Sequence, residues 1–163
     1  MEYYERIYRL PDGFYASLAA LDGNVLDQSF DLYNQAFAIL AYAHVAKAQP
    51  HRAAEMGQKA SAMLQALRST YAHPHAGFEE AVPRKLPLCS NPHMHLFEAA
   101  MACETQPFFD QAVWSTLADE IAELCIAHFI DSGNGGLREF FGGEWKPYEG
   151  VAGRIMEPGH QFE

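Results

Sequence analysis

The chain has 163 residues, 49% hydrophobic and 20% charged, with a net charge of -10 and a pI of about 5.2. That is one domain's worth of chain with enough apolar material for a core, which excludes a disordered segment. Its acidity repels phosphate backbones and anionic lipid, so neither nucleic acid nor a membrane surface is an expected partner.

The first ten residues, MEYYERIYRL, lack the basic start and apolar stretch of a signal peptide. No run of about 18 apolar residues follows anywhere, so no span is expected. Three cysteines, Cys89, Cys103 and Cys125, form no CxxC pair. An odd count without that motif fits buried thiols in a reducing compartment. The expectation is a cytoplasmic protein. The thiols have no base beside them in sequence, and no nucleophilic role is assigned to them.

Residues 13–30, GFYASLAALDGNVLDQSF, hold an Asp22-Gly23-Asn24 turn between short alternating runs, which reads as a hairpin. Residues 31–48 are apolar almost all round, the pattern of a helix buried on most sides. Residues 52–71 differ: Met56, Ala60, Met63, Leu64, Leu67 and Tyr71 fall three and four apart, with Gln58, Lys59, Gln65 and Arg68 between them. That is one apolar stripe on an outer helix. The alternation returns. Residues 92–103 are nearly all apolar after a polar start, and 108–129 are amphipathic, with Val113, Leu117, Ile121, Leu124 and His128 on one face. Segments 77–90 and 136–156 hold the hairpin's place in the later units. Each of the three opens on glycine and a large apolar residue: Gly13-Phe14, Gly77-Phe78, Gly136-Leu137. The period is about 60 residues, too long for a tetratricopeptide array and suited to a solenoid or closed toroid of helix pairs.

Each unit leads into a polar-headed helix start: DLYNQAF at 31, NPHMHLF at 91, EPGHQFE at 157. In a layered toroid those ends open into the central cleft. Helix N-termini there present free N–H groups to sugar oxygens, an oxyanion or a phosphate. Asn91 before Pro92 reads as an N-cap with proline at the first helical position. Asn91 is either that cap alone or a ligand contact. His93 and His95 are two apart, so they face different ways and one is structural. His160 and Glu163 share a helical face at i and i+3. They form a surface ion pair, a metal half-site, or a base with its orienting carboxylate. With Glu157 they spell ExxHxxE, a pattern of helical metal ligation; no second such helix is visible, so no metal is expected. His73 and His75, flanking Pro74, are expected to be solvent-exposed. His44, His51 and His128 are taken as structural. Trp114 belongs to an outer helix, whereas Trp145 lies in a loop and is expected to be free to stack on a sugar ring.

DLYNQAFAILAYA, NPHMHLFEA and EPGHQFE, in this order and at these distances, resemble the N-acylglucosamine 2-epimerase family, which also holds mannose isomerases and cellobiose 2-epimerases. The resemblance covers essentially the whole chain. It implies an all-α (α/α)6 toroid, here incomplete, of helix pairs with short β-hairpins between repeats. It also implies proton transfer at C2 of an aldose sugar or sugar phosphate, without a cofactor, giving an isomer or an epimer. By motif matching, His160 is a catalytic histidine and Glu163 its supporting carboxylate. Asn91 and His95 match cleft residues that contact the sugar, and Tyr33 is a weaker match. Relative to the family, residues 1–163 read as a single partial toroid domain truncated at both ends, with self-association expected of its uncovered helices. A further catalytic histidine belongs to the family's C-terminal part, so this polypeptide alone is expected to be inactive. Two rival readings are an inactive carbohydrate-binding fragment and a glycoside hydrolase on a similar toroid. The latter needs two carboxylates across a cleft, for which Glu157 and Glu163 are the candidates.

Overall fold

The computed structural model describes residues 1–148. The elements run α1 (Glu2–Tyr8), β1 (Leu18–Ala19), β2 (Val25–Asp27), α2 (Leu32–Ala48), a 3-10 turn (Pro50–Arg52), α3 (Ala53–Tyr71), β3 (Leu88–Cys89), α4 (Ser90–Glu104), α5 (Gln111–Leu124) and β4 (Phe140–Phe141). α2 packs against both α3 and α4, and α4 against α5. The arrangement is that of a partial α/α toroid: α2 and α4 form an inner layer, α3 and α5 an outer one. α2 buries Leu32, Gln35, Ala36, Ala38, Ile39, Tyr42, Ala43 and Ala46, which lie on more than one face. α3 buries one stripe, with Met56, Ala60, Met63, Leu64 and Leu67 at its centre. No helix among the described residues is long and apolar enough to cross a membrane.

The unit repeats at the level of single hydrogen bonds. After each outer helix or helical end, a short loop closes on itself through an isolated antiparallel bridge: Arg9 with Tyr15, Ala72 with Phe78, Ile130 with Leu137. In each, the residue after the bridge donates back across it. These bonds are Ala16 N–H to Tyr8 C=O at 2.8 Å, Glu79 N–H to Tyr71 C=O at 2.6 Å, and Arg138 N–H to Phe129 C=O at 2.8 Å. Each loop turns through a left-handed glycine: Gly13, Gly77 and Gly135. Most side chains cannot adopt that backbone without strain.

The first hairpin forms as read, with β1 and β2 antiparallel around the Asp22-Gly23-Asn24 turn; the Asp22 carboxylate accepts the Asn24 N–H at 3.0 Å. The third segment folds back on itself, with Phe141 bridged to Pro147 and the Tyr148 N–H bound to Phe140 C=O at 3.0 Å, whereas the second pairs with the third rather than with itself. β3, in the second segment, pairs with β4, in the third, matching Leu88 with Phe141 and Cys89 with Phe140. That pairing moves the start of α4. Ser90 N–H is still held by Glu139 C=O at 3.0 Å and its hydroxyl donates to Arg138 C=O at 2.8 Å. Cys89, extended, is therefore the N-cap rather than Asn91. Pro92 falls third in the helix, where its missing N–H is still one of the groups without an intrahelical partner.

The second outer helix also departs from its reading. It begins at Gln111, capped by Asp110, and buries Trp114, Leu117, Ala118, Ile121 and Leu124. Val113 is exposed. Beyond Leu124 the helix widens into a π turn, Cys125–Phe129. The wider turn puts Phe129 into the core and leaves His128 in solvent. Phe129 joins Leu88, Leu124, Phe141 and Trp145 in a second apolar cluster.

Candidate functional site

Gln35 and His93 each stand four residues after the N-cap of an inner helix, Asp31 for α2 and Cys89 for α4. Both are fully buried. The Gln35 amide accepts the Tyr15 N–H at 2.8 Å and donates to Tyr15 C=O and Asp31 C=O, each at 3.0 Å. His93 makes the matching contacts: Nε2 accepts the Phe78 N–H at 3.0 Å, and Nδ1 lies 2.9 Å from Cys89 C=O. A carbonyl only accepts, so Nδ1 carries the proton. Tyr15 and Phe78 are the equivalent bridge residues of their loops. Each inner helix is thus latched to the loop before it by one buried polar side chain. Sequence reasoning missed this because glutamine and histidine share no class; the signal is their common distance from the helix start. Burial pushes the His93 pKa down to about 4, and His73 opposes its protonation further.

His93 is therefore the structural histidine of the NPHMH stretch. His95 is not in the core. Its side chain is 23% exposed, and it meets two rings from α2. Tyr33 approaches edge-on with centroids 4.9 Å apart, and Phe37 lies at 4.7 Å, tilted 44°. Tyr33 and Phe37 touch each other at 4.8 Å. Both are partly exposed, and Phe37 was not singled out from sequence. His95 Nδ1 is 2.8 Å from the Glu98 carboxylate. Asn91 lies one turn before His95 on α4, half-buried. The structure thus gathers Tyr33 and His95 across two units, with Asn91 on the same helical face as His95. His160, Glu163 and Glu157 lie outside the described residues.

One further carboxylate, Glu80, lies at the N-terminal end of α4. Glu80 accepts the Cys89 N–H at 2.5 Å. Burial pushes its pKa up to about 7, an effect the Cys89 N–H opposes and the charges of Asp31 and Glu139 reinforce. Burial, with Glu80 and Glu139 nearby, also raises the Cys89 pKa well above the ordinary thiol range. That keeps the sulfur protonated and weakly nucleophilic. Among the described residues no group of three or more His, Cys, Asp or Glu side chains is arranged to hold a metal ion.

Two residues read as exposed are buried. His73 is 6% exposed and Trp145 1%. The Trp145 indole N–H donates to Ala76 C=O at 2.9 Å and to His73 Nδ1 at 3.1 Å, and its ring packs on Phe129, Phe141 and His93. It is a core residue and offers no face to a sugar ring. His75 is exposed as expected, paired with Glu144 at 2.7 Å.

The sequence profile of the family described as N-acylglucosamine 2-epimerase (GlcNAc 2-epimerase) matches residues 1–163, the full length of the chain. The chain belongs to the N-acylglucosamine 2-epimerase family. Within reach of this family assignment lies a relative from Rhizobium meliloti (strain 1021) named mannose-6-phosphate isomerase, 54% identical over 161 residues, or 99% of this chain and 42% of the relative. The chain therefore spans less than half of that relative's length. Among solved structures, a D-mannose isomerase superposes with a TM-score of 0.76 at 19% identity, over 89% of this chain and 38% of that one. The cellobiose 2-epimerase of Spirochaeta thermophila DSM 6192 superposes with a TM-score of 0.77 at 20% identity, over 90% and 40%. Both solved structures share the helix-pair architecture described above.

Proposed function

We propose that the full-length protein is a sugar isomerase or epimerase that moves the proton at C2 of an aldose, free or phosphorylated. The observation that carries this reading is the His95 site. A polar ring faces outward from an inner helix, bracketed by two aromatic rings of the neighbouring inner helix, with Asn91 one turn away, in a chain of the N-acylglucosamine 2-epimerase family. Membership bounds the chemistry to this class; the Rhizobium relative's name favours the mannose series.

The proton on C2 of an open-chain aldose is weakly acidic, so its removal needs a base poised near neutral pH and a donor at the carbonyl oxygen. Imidazole suits the first role. In this proposal His160 is a proton-transfer histidine with Glu163 as its supporting carboxylate. Asn91, His95 and Tyr33 contact the sugar. Abstraction gives an enediolate, which cleft donors stabilise. Return of the proton to C1 yields the ketose; return to the other face of C2 yields the epimer.

The test is turnover in D2O. The full-length protein is offered mannose, mannose 6-phosphate, N-acetylglucosamine and cellobiose, and deuterium at C1 and C2 is followed by NMR. At least one substrate should gain solvent deuterium. His160→Ala should lower that rate by about 10²-fold or more, the usual contribution of a positioned acid or base. No exchange with any of the four sinks the reading. Unchanged exchange in the variant sinks the role of His160.

A further inference from the structure

We propose that Glu98 is a positioning residue for His95, holding its imidazole with the proton on Nδ1 so that Nε2 meets the sugar as a hydrogen-bond acceptor. This rests on the reading of the site given above.

Three observations support it. The Glu98 carboxylate oxygen lies 2.8 Å from His95 Nδ1. An ionised carboxylate only accepts, so at that distance the hydrogen sits on Nδ1. The two residues are three apart on α4, neighbours on one helical face. Second, the ring cannot easily turn away from this pairing. Tyr33 stands edge-on at 4.9 Å and Phe37 is tilted against it at 4.7 Å. Third, α4 carries a built-in comparison. His93, two residues earlier and about 200° around the helix, also carries its proton on Nδ1. There the Nε2 lone pair is taken by the Phe78 N–H at 3.0 Å. No residue among those described takes the Nε2 lone pair of His95, which is left for a ligand.

A carboxylate that sets a histidine's tautomer and orientation acts through the ring rather than on the substrate. Glu98 is 59% exposed, and a hydrogen bond that open to water contributes little to stability. Its loss should therefore leave the fold intact and change which nitrogen faces the sugar.

The test uses imidazole 15N spectra of the full-length protein at alkaline pH, with His95 assigned by comparison with His95→Gln. Wild type should show His95 protonated on Nδ1. Glu98→Leu should move the proton toward Nε2, leave Tm unchanged, and lower kcat about tenfold or more with KM little altered. A wild-type His95 protonated on Nε2 overturns the proposal directly, whether or not any variant folds. So does a Glu98→Leu protein whose tautomer or kcat is unchanged. A protein that turns over no sugar but shows the expected tautomers defeats the functional reading and the catalytic consequence, while leaving the pairing in place.

Discussion

Replacing His93 by glutamine would give the second unit the side chain that already latches the first. Gln35 shows that an amide can hold both the bridge residue and the N-cap carbonyl, so His93→Gln should fold, at a cost of about 1–2 kcal/mol near pH 7 from lost ring packing. The two proteins should differ in acid. Buried His93 titrates near 4, against about 6.5 for a free histidine. As pH falls below about 6.5 the unfolded chain takes up the proton first. Wild type then loses stability through the window from 6.5 down to about 4, by up to about 3 kcal/mol. His73 and Glu120 face the same ring and remain in both proteins. Urea midpoints at pH 7.5 and 4.5 decide the matter: a difference between wild type and variant that is independent of pH would refute it. The same residue scale shows why His73 and Trp145 were misread. Each is buried by the other, across 72 residues of chain, and nothing local to either announces that partner.

Among the elements, the glycine loops separate backbone strain from contact. Gly77 and Gly135 both have φ of 73°. A Cβ on Gly135 would meet nothing within 4 Å, whereas one on Gly77 would sit 2.7 Å from His93 Nε2 and 3.0 Å from a Leu124 methyl. Gly135→Ala should cost about 1 kcal/mol, the strain alone. Gly77→Ala should cost at least about 2 kcal/mol, since it also pushes His93 off the Phe78 N–H. Equal melting temperatures for the two variants would contradict this. Much at this scale was legible. The 3.6-residue stripe of α3 and the all-round apolar pattern of α2 come directly from residue spacing, as does the first hairpin from Asp22-Gly23-Asn24. The second sheet was not legible, because β3 and β4 are two residues long and some fifty residues apart, too short to show alternation. Its pairing overrode the Asn91-Pro92 start signal. The π turn after Leu124 defeated the regular period that had placed His128 on the buried face, while Val113 is exposed in the first turn of α5 although Leu117 and Ile121 further along it are buried. Tyr33, Asn91 and His95 were legible only as motif matches; the gathering of Tyr33 and His95 around Phe37 depends on how α2 and α4 pack.

On the scale of the molecule, Glu120 ties three parts together. Its carboxylate takes both guanidinium nitrogens of Arg68 on α3, at 3.0 and 2.5 Å, and the Gly77 N–H of the second loop at 2.7 Å. Burial disfavours its charge, yet Arg68 and the Gly77 N–H hold its pKa below the usual carboxylate range. Glu120→Ala would orphan both the amide and the guanidinium, at about 2–3 kcal/mol. Glu55→Ala, which breaks the more exposed cluster with Arg52 and Lys59, should be measurably milder in the same chemical denaturation; the reverse ranking would deny Glu120 this role.

The β3–β4 pairing has a consequence in time. The first turn of α4 is set by Arg138 and Glu139, and the loop before it is pinned by Trp145. α2, by contrast, is capped by its own Asp31 and latched to Tyr15, both made before the helix itself. As the chain leaves the ribosome, the first unit can therefore mature from residues already synthesised. The second must wait for some fifty further residues and close a loop of that length before its helix start is fixed. Assembly runs with a lag of one unit: the second helix pair is finished by residues of the third.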